Sequence, residues 1–291
     1  MPEAATRPII LRRLQLSTAA WRVLSETAAD ALDLTPATDD IGAPTPLDAQ
    51  SSSAAWAELA TLGLSPQVGE VQRAWMGAVA LLLSAPITIT ARATYAGVST
   101  TSVMGVRGGR GLAVHQRHLC ESTSSGTTLT GSEDSVEVTL FDEENLWGAM
   151  ERLLPPLSSV RAPAKAAPLN VDQVNGGDES LWPVHAPDGT AGDLAGALPV
   201  GALPEPLASL AAGEDSNVTL TVQSTAEGHP PRMWAGMWSV KDEHLYSVRT
   251  HNTAVSPQLA ITEVPPGHIA HELIFAVVGA HDALTNVQAK A

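Results

Sequence analysis

The strand-forming part of this chain is written twice, and that repetition constrains its fold more than any other feature. ITITARATYAG at 87–97 is matched by VTLTVQSTAEG at 218–228, SVMGVRGGRGLAVHQR by MWAGMWSVKDEHLYSVR, and VEVTLF with the helical pattern after it by LAITEV with its own. In most of these segments apolar and polar residues alternate with a period of two, the signature of strands that bury one face. Gly97, the GGRG at 108–111, Gly228 and the corner at 241–243 supply the turns. Two β-β-β-β-α units follow, and a duplication of this kind predicts a pseudo-two-fold. Joined edge to edge, the units make one central antiparallel sheet with flanking helices, an α+β architecture. Ile87 pairs with Val218 but Val136 with about Leu259, so a loop is shorter in the second copy.

The rest of the chain is read around that frame. Ser17 precedes Trp21, Leu24 and Ala28 at helical spacing, which predicts a capped helix ending near Ala31. Residues 35–53, rich in Pro, Asp, Ser and Thr, read as a loop. Trp56, Leu59 and Leu62 mark a short helix closed by Gly63. Pro66 opens a longer one carrying Val68, Val71, Trp75, Val79 and Leu82, which Pro86 stops. A polar loop is expected over 121–132. Asp142 is expected to cap a helix carrying Leu146, Met150, Leu153 and Leu154, ended by Pro155 and Pro156.

Residues 155–206 hold nine of the 21 prolines and read as a linker or excursion, anchored by Leu181 and Trp182. A short helix around Leu207–Ala212 ends at Gly213, and Pro265, Pro266 and Gly267 open a last helix with Ile269, Leu273, Ala276 and Val277 on one face. The organisation expected is an N-terminal half over 1–157, the excursion over 158–206 and a C-terminal half over 207–291, with the halves packed as one domain.

Composition narrows the function. At 291 residues and 44% hydrophobic, the chain can build a substantial core. A formal charge of -15 repels phosphate backbones and anionic membrane surfaces, so no nucleic-acid partner is expected. Cys120 stands alone, which excludes an internal disulfide and fits a reducing compartment. The opening MPEAATRPIILRRLQLST has no apolar signal-peptide core, and the apolar stretch Trp75–Pro86 is too short to span a bilayer. A cytoplasmic protein with no membrane insertion is expected.

Candidate chemistry is thin. His115, His118 and Cys120 are competent zinc ligands by type, but on a strand His115 points away from the other two. His268, His271 and Glu272 read H-x-x-H-E, whereas helical zinc sites need histidines at i and i+4, so these read as solvent-facing residues at a helix start. Asp142–Glu144 sit where a helix N-terminus attracts negative charge. No G-x-S-x-G or Walker loop is present, and the glycines of GVRGGRG lie between two strands and make a hairpin with Arg107 and Arg110 at its tip. Asn217 opens a glycosylation-like NVT but sits at the start of a strand. No catalytic residue, metal or cofactor is expected.

PRMWAGMWSV is different, because it is apolar on both faces. Met233 and Met237 fall on one side of the strand, Trp234, Trp238 and Val240 on the other. A central strand covered on both sides is one reading. The other leaves one face open as a partner-binding patch made from Met233, Trp234, Met237 and Trp238, since Met and Trp suit a surface that adapts to and anchors another protein.

From the LSTAAWRVL helix, through PITITARATYAG and VEVTLFDEENLWGAMERLLP, to RMWAGMWSV and LAITEVPPGHIAHEL, the chain resembles the EspG family, the cytosolic chaperones of type VII (ESX) secretion in actinobacteria. The family has no sharp signature motif, so the likeness rests on pattern and repeat order. It implies a central sheet with helical bundles, a pseudo-two-fold, no cofactor, and binding of the helical tip of a secretion substrate of the PE–PPE or WXG type. The excursion at 155–206 and the alanine-rich composition mark a departure from the family. From a different class, a small-molecule-binding protein or enzyme would use a cleft between the halves, with His115, His118, His244 and His251 as its polar groups. A purely structural, self-associating protein is a third reading.

Overall fold

The computed structural model describes residues 10–34, 47–123, 126–163, 180–183, 209–210, 213–252 and 257–288. Their strands are β1 (Ile10–Leu16), β2 (Ile87–Tyr95), β3 (Val98–Arg107), β4 (Arg110–Thr123), β5 (Gly126–Asp142), β6 (Ser180–Pro183), β7 (Ser216–Ser224), β8 (Arg232–Lys241), β9 (His244–Asn252) and β10 (Pro257–Val264). They form one sheet in the order β1-β5-β4-β3-β2-β7-β8-β9-β10-β6, with antiparallel pairing. The helices are α1 (Thr18–Leu32), α2 (Ala49–Thr61), α3 (Arg73–Leu83), α4 (Leu146–Glu151) and α5 (His268–Gln288). The architecture is therefore α+β around a large antiparallel sheet. Among the described residues no helix is long and apolar enough to cross a membrane.

β2 and β7 lie side by side at the middle, paired from Ile87↔Ser224 to Tyr95↔Ser216. From that junction consecutive strands run outward in both directions, and the β2–β3, β3–β4, β7–β8 and β8–β9 hairpins turn where the sequence supplies glycine or a tight corner. Gly97, Gly108 and Gly109 take positive φ in these turns, and in the β8–β9 corner Asp242 and Glu243 do so without being glycine.

Alternation along the strands gives the sheet two different faces. One carries Ile87, Ile89, Met104, Val218, Leu220, Val222 and Trp238, and α4 and α5 bury it with Leu146, Met150, Ile269, Leu273 and Val277. The other carries Leu16, Leu112, Val114, Val136 and Val138, and α1, α2 and α3 bury it with Trp21, Leu24, Leu59, Trp75 and Val79. These cores are offset. α3 packs on β3 and β4 and α1 on β5, whereas α5 packs on β7, β8 and β2 from the opposite side.

Several boundaries depart from the sequence expectation. α3 begins at Arg73 rather than Pro66, because Gly69 adopts φ +86 and the Gln72 N–H is drawn to the Leu64 carbonyl, leaving Val68 exposed in a turn. α2 begins at Ala49, capped by the Asp48 side chain accepting from Ser51, inside the stretch read as a loop. The polar stretch at 121–132 continues as a hairpin, with Cys120 opposite Leu129 and Thr123 opposite Gly126, in keeping with the strand preference of its threonines. Asp142 precedes a 3-10 turn without a side-chain cap, and α4 stops at Glu151, short of Leu153 and Leu154. Strand β1 has no counterpart among the elements that the sequence predicts. Leu181 and Trp182 pair with Ala260 and Leu259 of β10, while most of 158–206 and of the helix expected over 207–212 lies outside the described residues.

Candidate partner-binding face

The four candidate residues of β8 divide between the two faces of the sheet. Trp238 is 2% exposed, packed among Val218, Leu220 and the inner side of α5, and Trp234 is partly buried against the same cluster. Their rings lie 6.3 Å apart at 44°. The glycine between them makes this possible: a Cβ at Gly236 would fall 2.4 Å from Cη2 of Trp238 and 2.8 Å from Cη2 of Trp234. The two rings thus lie across the bare backbone of their own strand.

Met233 and Met237 point to the other side, and they are 73% and 39% exposed. Cross-strand partners share a face, so Gln223 and Thr219 of β7 stand beside them, and Thr88 and Arg92 of β2 follow in the next row. Thr88, Thr90, Thr219 and Thr221 are half-buried there. α3 rises at one side of this floor, over β3, and at the other side Ser239, Val248 and Ile261 are buried. Three strands at the usual spacing give a strip on the order of 10 Å wide, about the diameter of one α-helix. Its centre is polar and hydroxylated, and its β8 side carries two flexible thioethers.

The histidines read from the sequence find separate partners. Ser102 Oγ and His115 Nδ1 are 2.8 Å apart, and Glu137, opposite His115 on β5, is paired with Arg13 and with Arg152 at 3.4 Å. Burial pushes His115 below its ordinary value, Glu137 opposing. A serine, a histidine and a glutamate thus stand on adjacent strands, but Ser102 is 1% exposed and the imidazole uses Nδ1 toward it, which leaves no open nucleophile. His118 bonds Ser132 at 2.8 Å, and among the described residues no three His, Cys, Asp or Glu side chains converge as a metal set. His244 bonds Glu263 at 2.7 Å, and the His251 side chain is outside the described residues.

His268 does not face solvent as its place at a helix start suggested. The indole Nε1 of Trp238 donates to its Nδ1 at 3.1 Å, and burial lowers its pKa. Of the two histidines at the helix start, His271, one turn on, is the exposed one. The partner of His268 lies 30 residues away on another element, which no local pattern in the sequence announces. Where the halves meet, β2 and β7 pair along nine consecutive residues. The chain matches no protein-family model and no curated protein.

Proposed function

We propose that this protein is a cytoplasmic, non-enzymatic binding protein that holds a helical client on the open face of β2, β7 and β8, in the manner of an EspG-type chaperone of type VII secretion. The single observation that carries this reading is the exposure of Met233 and Met237 on a sheet whose reverse side, under the same strands, is sealed by α5. A half-polar, half-apolar strip of helix width suits an amphipathic helix: its apolar side meets the thioethers and its polar side the threonines. A PE–PPE-like or WXG-type pair has such helices, and covering one keeps the client soluble before export. Trp234 and Trp238 would serve the same site from behind, by fixing β8 against α5.

The duplication belongs to the same proposal. Strands β2 to β5 with α4, and β7 to β10 with α5, are inferred to be two copies about a pseudo-two-fold through the β2–β7 junction. Thr90 pairs with Thr221, the residue in the same position of the other repeat, as an axis between them requires. The client strip lies across that junction.

Co-expression with helical type VII substrate pairs from the same genome, followed by affinity capture of the tagged chain, tests the reading. A stoichiometric complex is expected with the wild type and its loss with Met233→Ser/Met237→Ser, whose exposed positions leave stability within about 0.5 kcal/mol. Capture of none of these pairs, or equal capture by the double variant, would overturn it.

A further inference from the structure

On the far side of the molecule, the outer surface of α5 exposes Ile274, Phe275 and Val278 together, at 50%, 62% and 52%. At 100° per residue these three share one stripe with His271, Gly279 and Asp282, all exposed, while Leu273, Ala276, Val277 and Ala280 face the sheet. The stripe is complementary to itself when reversed. A two-fold crossing the helix at the level of Ala276 and Val277 sets Phe275 of one copy against Val278 of the other. At the two ends His271 faces Asp282, an imidazole N–H donor against a carboxylate, and the His271 ring is already held parallel to Phe275, with centroids 6.5 Å apart.

We propose that α5 is a homodimerisation surface, packing antiparallel on α5 of a second copy. Apolar bulk meets apolar bulk near the centre and donor meets acceptor at both ends, the isologous arrangement a two-fold demands. One helix stripe is smaller than the roughly 800 Å² per partner of stable complexes, which places the dimer in the weak, concentration-dependent class. It leaves the Met233/Met237 face of both copies open, so it stands independently of the client-binding proposal.

Sedimentation velocity on the purified full chain, from about 1 µM to about 1 mM to span weak association, tests it. The wild type is expected to pass from monomer to dimer within that range, and Phe275→Glu to remain monomeric throughout. His271→Glu, which sets two carboxylates face to face, is expected to weaken association at least tenfold, and His271→Glu/Asp282→Lys to restore it. Circular dichroism confirms that each variant is folded. A wild type monomeric at every concentration overturns the proposal. So does a dimer that survives Phe275→Glu, or a charge-swapped pair as weak as the single variant.

Discussion

Trp238 and His268 are joined by a hydrogen bond of 3.1 Å that ties the middle of the sheet to the first turn of the last helix. Because Nδ1 of the imidazole accepts from the indole, the ring proton must sit on Nε2, which lies 3.8 Å from the Glu272 carboxylate. Glu272 in turn meets Arg249 of β9 at 3.3 Å. Trp238, His268, Glu272 and Arg249 thus link β8, α5 and β9 in one polar chain beneath an apolar helix. Protonation of Nδ1 would set a donor against the indole donor.

Stability should therefore fall on acidification through this residue. Burial holds the folded-state pKa of His268 below its ordinary 6.5, with Glu272 opposing and Arg249 and His271 adding to the effect. The unfolded chain then binds the proton more readily, and the contribution of neutral His268, complete above 6.5, is lost as pH falls below that value. His268→Asn retains an acceptor but cannot titrate there. Urea midpoints should favour the variant increasingly between about pH 7.5 and pH 5, a range set by the ordinary titration of histidine. Equal slopes for the two proteins would mean that His268 takes up its proton as readily in the folded chain as in the unfolded one. His115, lowered by burial in the same direction, contributes equally to both and cancels.

Gly105 fixes how closely α3 can lie on β3. A Cβ there would stand 2.3 Å from the Leu81 carbonyl oxygen and 2.6 Å from Cα of Leu82, backbone atoms that move only if the helix moves. Gly105→Ala should cost about 1–3 kcal/mol, the range for overpacking a tight interior. The loss should appear in the thermal midpoint and in amide exchange of α3 ahead of α5, which packs on the other face. A variant as stable as the wild type would show that α3 rides freely over the strand.

These contacts mark where sequence reading stops. The strands were legible because alternation of period two survives in ITITARATY and VTLTVQS, and their turns because glycines sit at the required positive φ. β1 was not, since ILRRLQL places two arginines in an edge strand. There Arg13 pairs with Glu137 and Arg12 lies over the Trp75 ring, so the charges are satisfied by distant residues. Helical spacing alone draws Val68 into α3, while Gly69 breaks the run and the helix starts at Arg73. At the candidate site, parity along PRMWAGMWSV correctly separated the methionines from the tryptophans. Which side α5 would seal depends on the three-dimensional path of a helix some 30 residues further on.

The N-terminus of α1 offers a sharper test of such long-range wiring, because it is capped from another helix. Ser17 Oγ accepts from the Ala20 N–H at 3.0 Å, as an N-cap should, and then donates to Glu58 Oε2 at 2.6 Å. The backbone N–H of Ser17 donates to Glu58 Oε1 at 2.8 Å. Glu58 of α2 thereby takes the part that a glutamate three residues into α1 would play in a capping box. Ser17→Ala should cost about 1 kcal/mol, as for other caps. Glu58→Ala should cost about 1–3 kcal/mol, because a half-buried backbone donor loses its acceptor. The two losses should not add, since both variants break the Ser17–Glu58 hydroxyl bond, and a double-mutant cycle in urea should give a coupling of at least about 0.5 kcal/mol. Strict additivity would mean that Glu58 supports α2 alone and that α1 and α2 are held together only by Trp21, Leu24, Ala55 and Leu59 in their shared core.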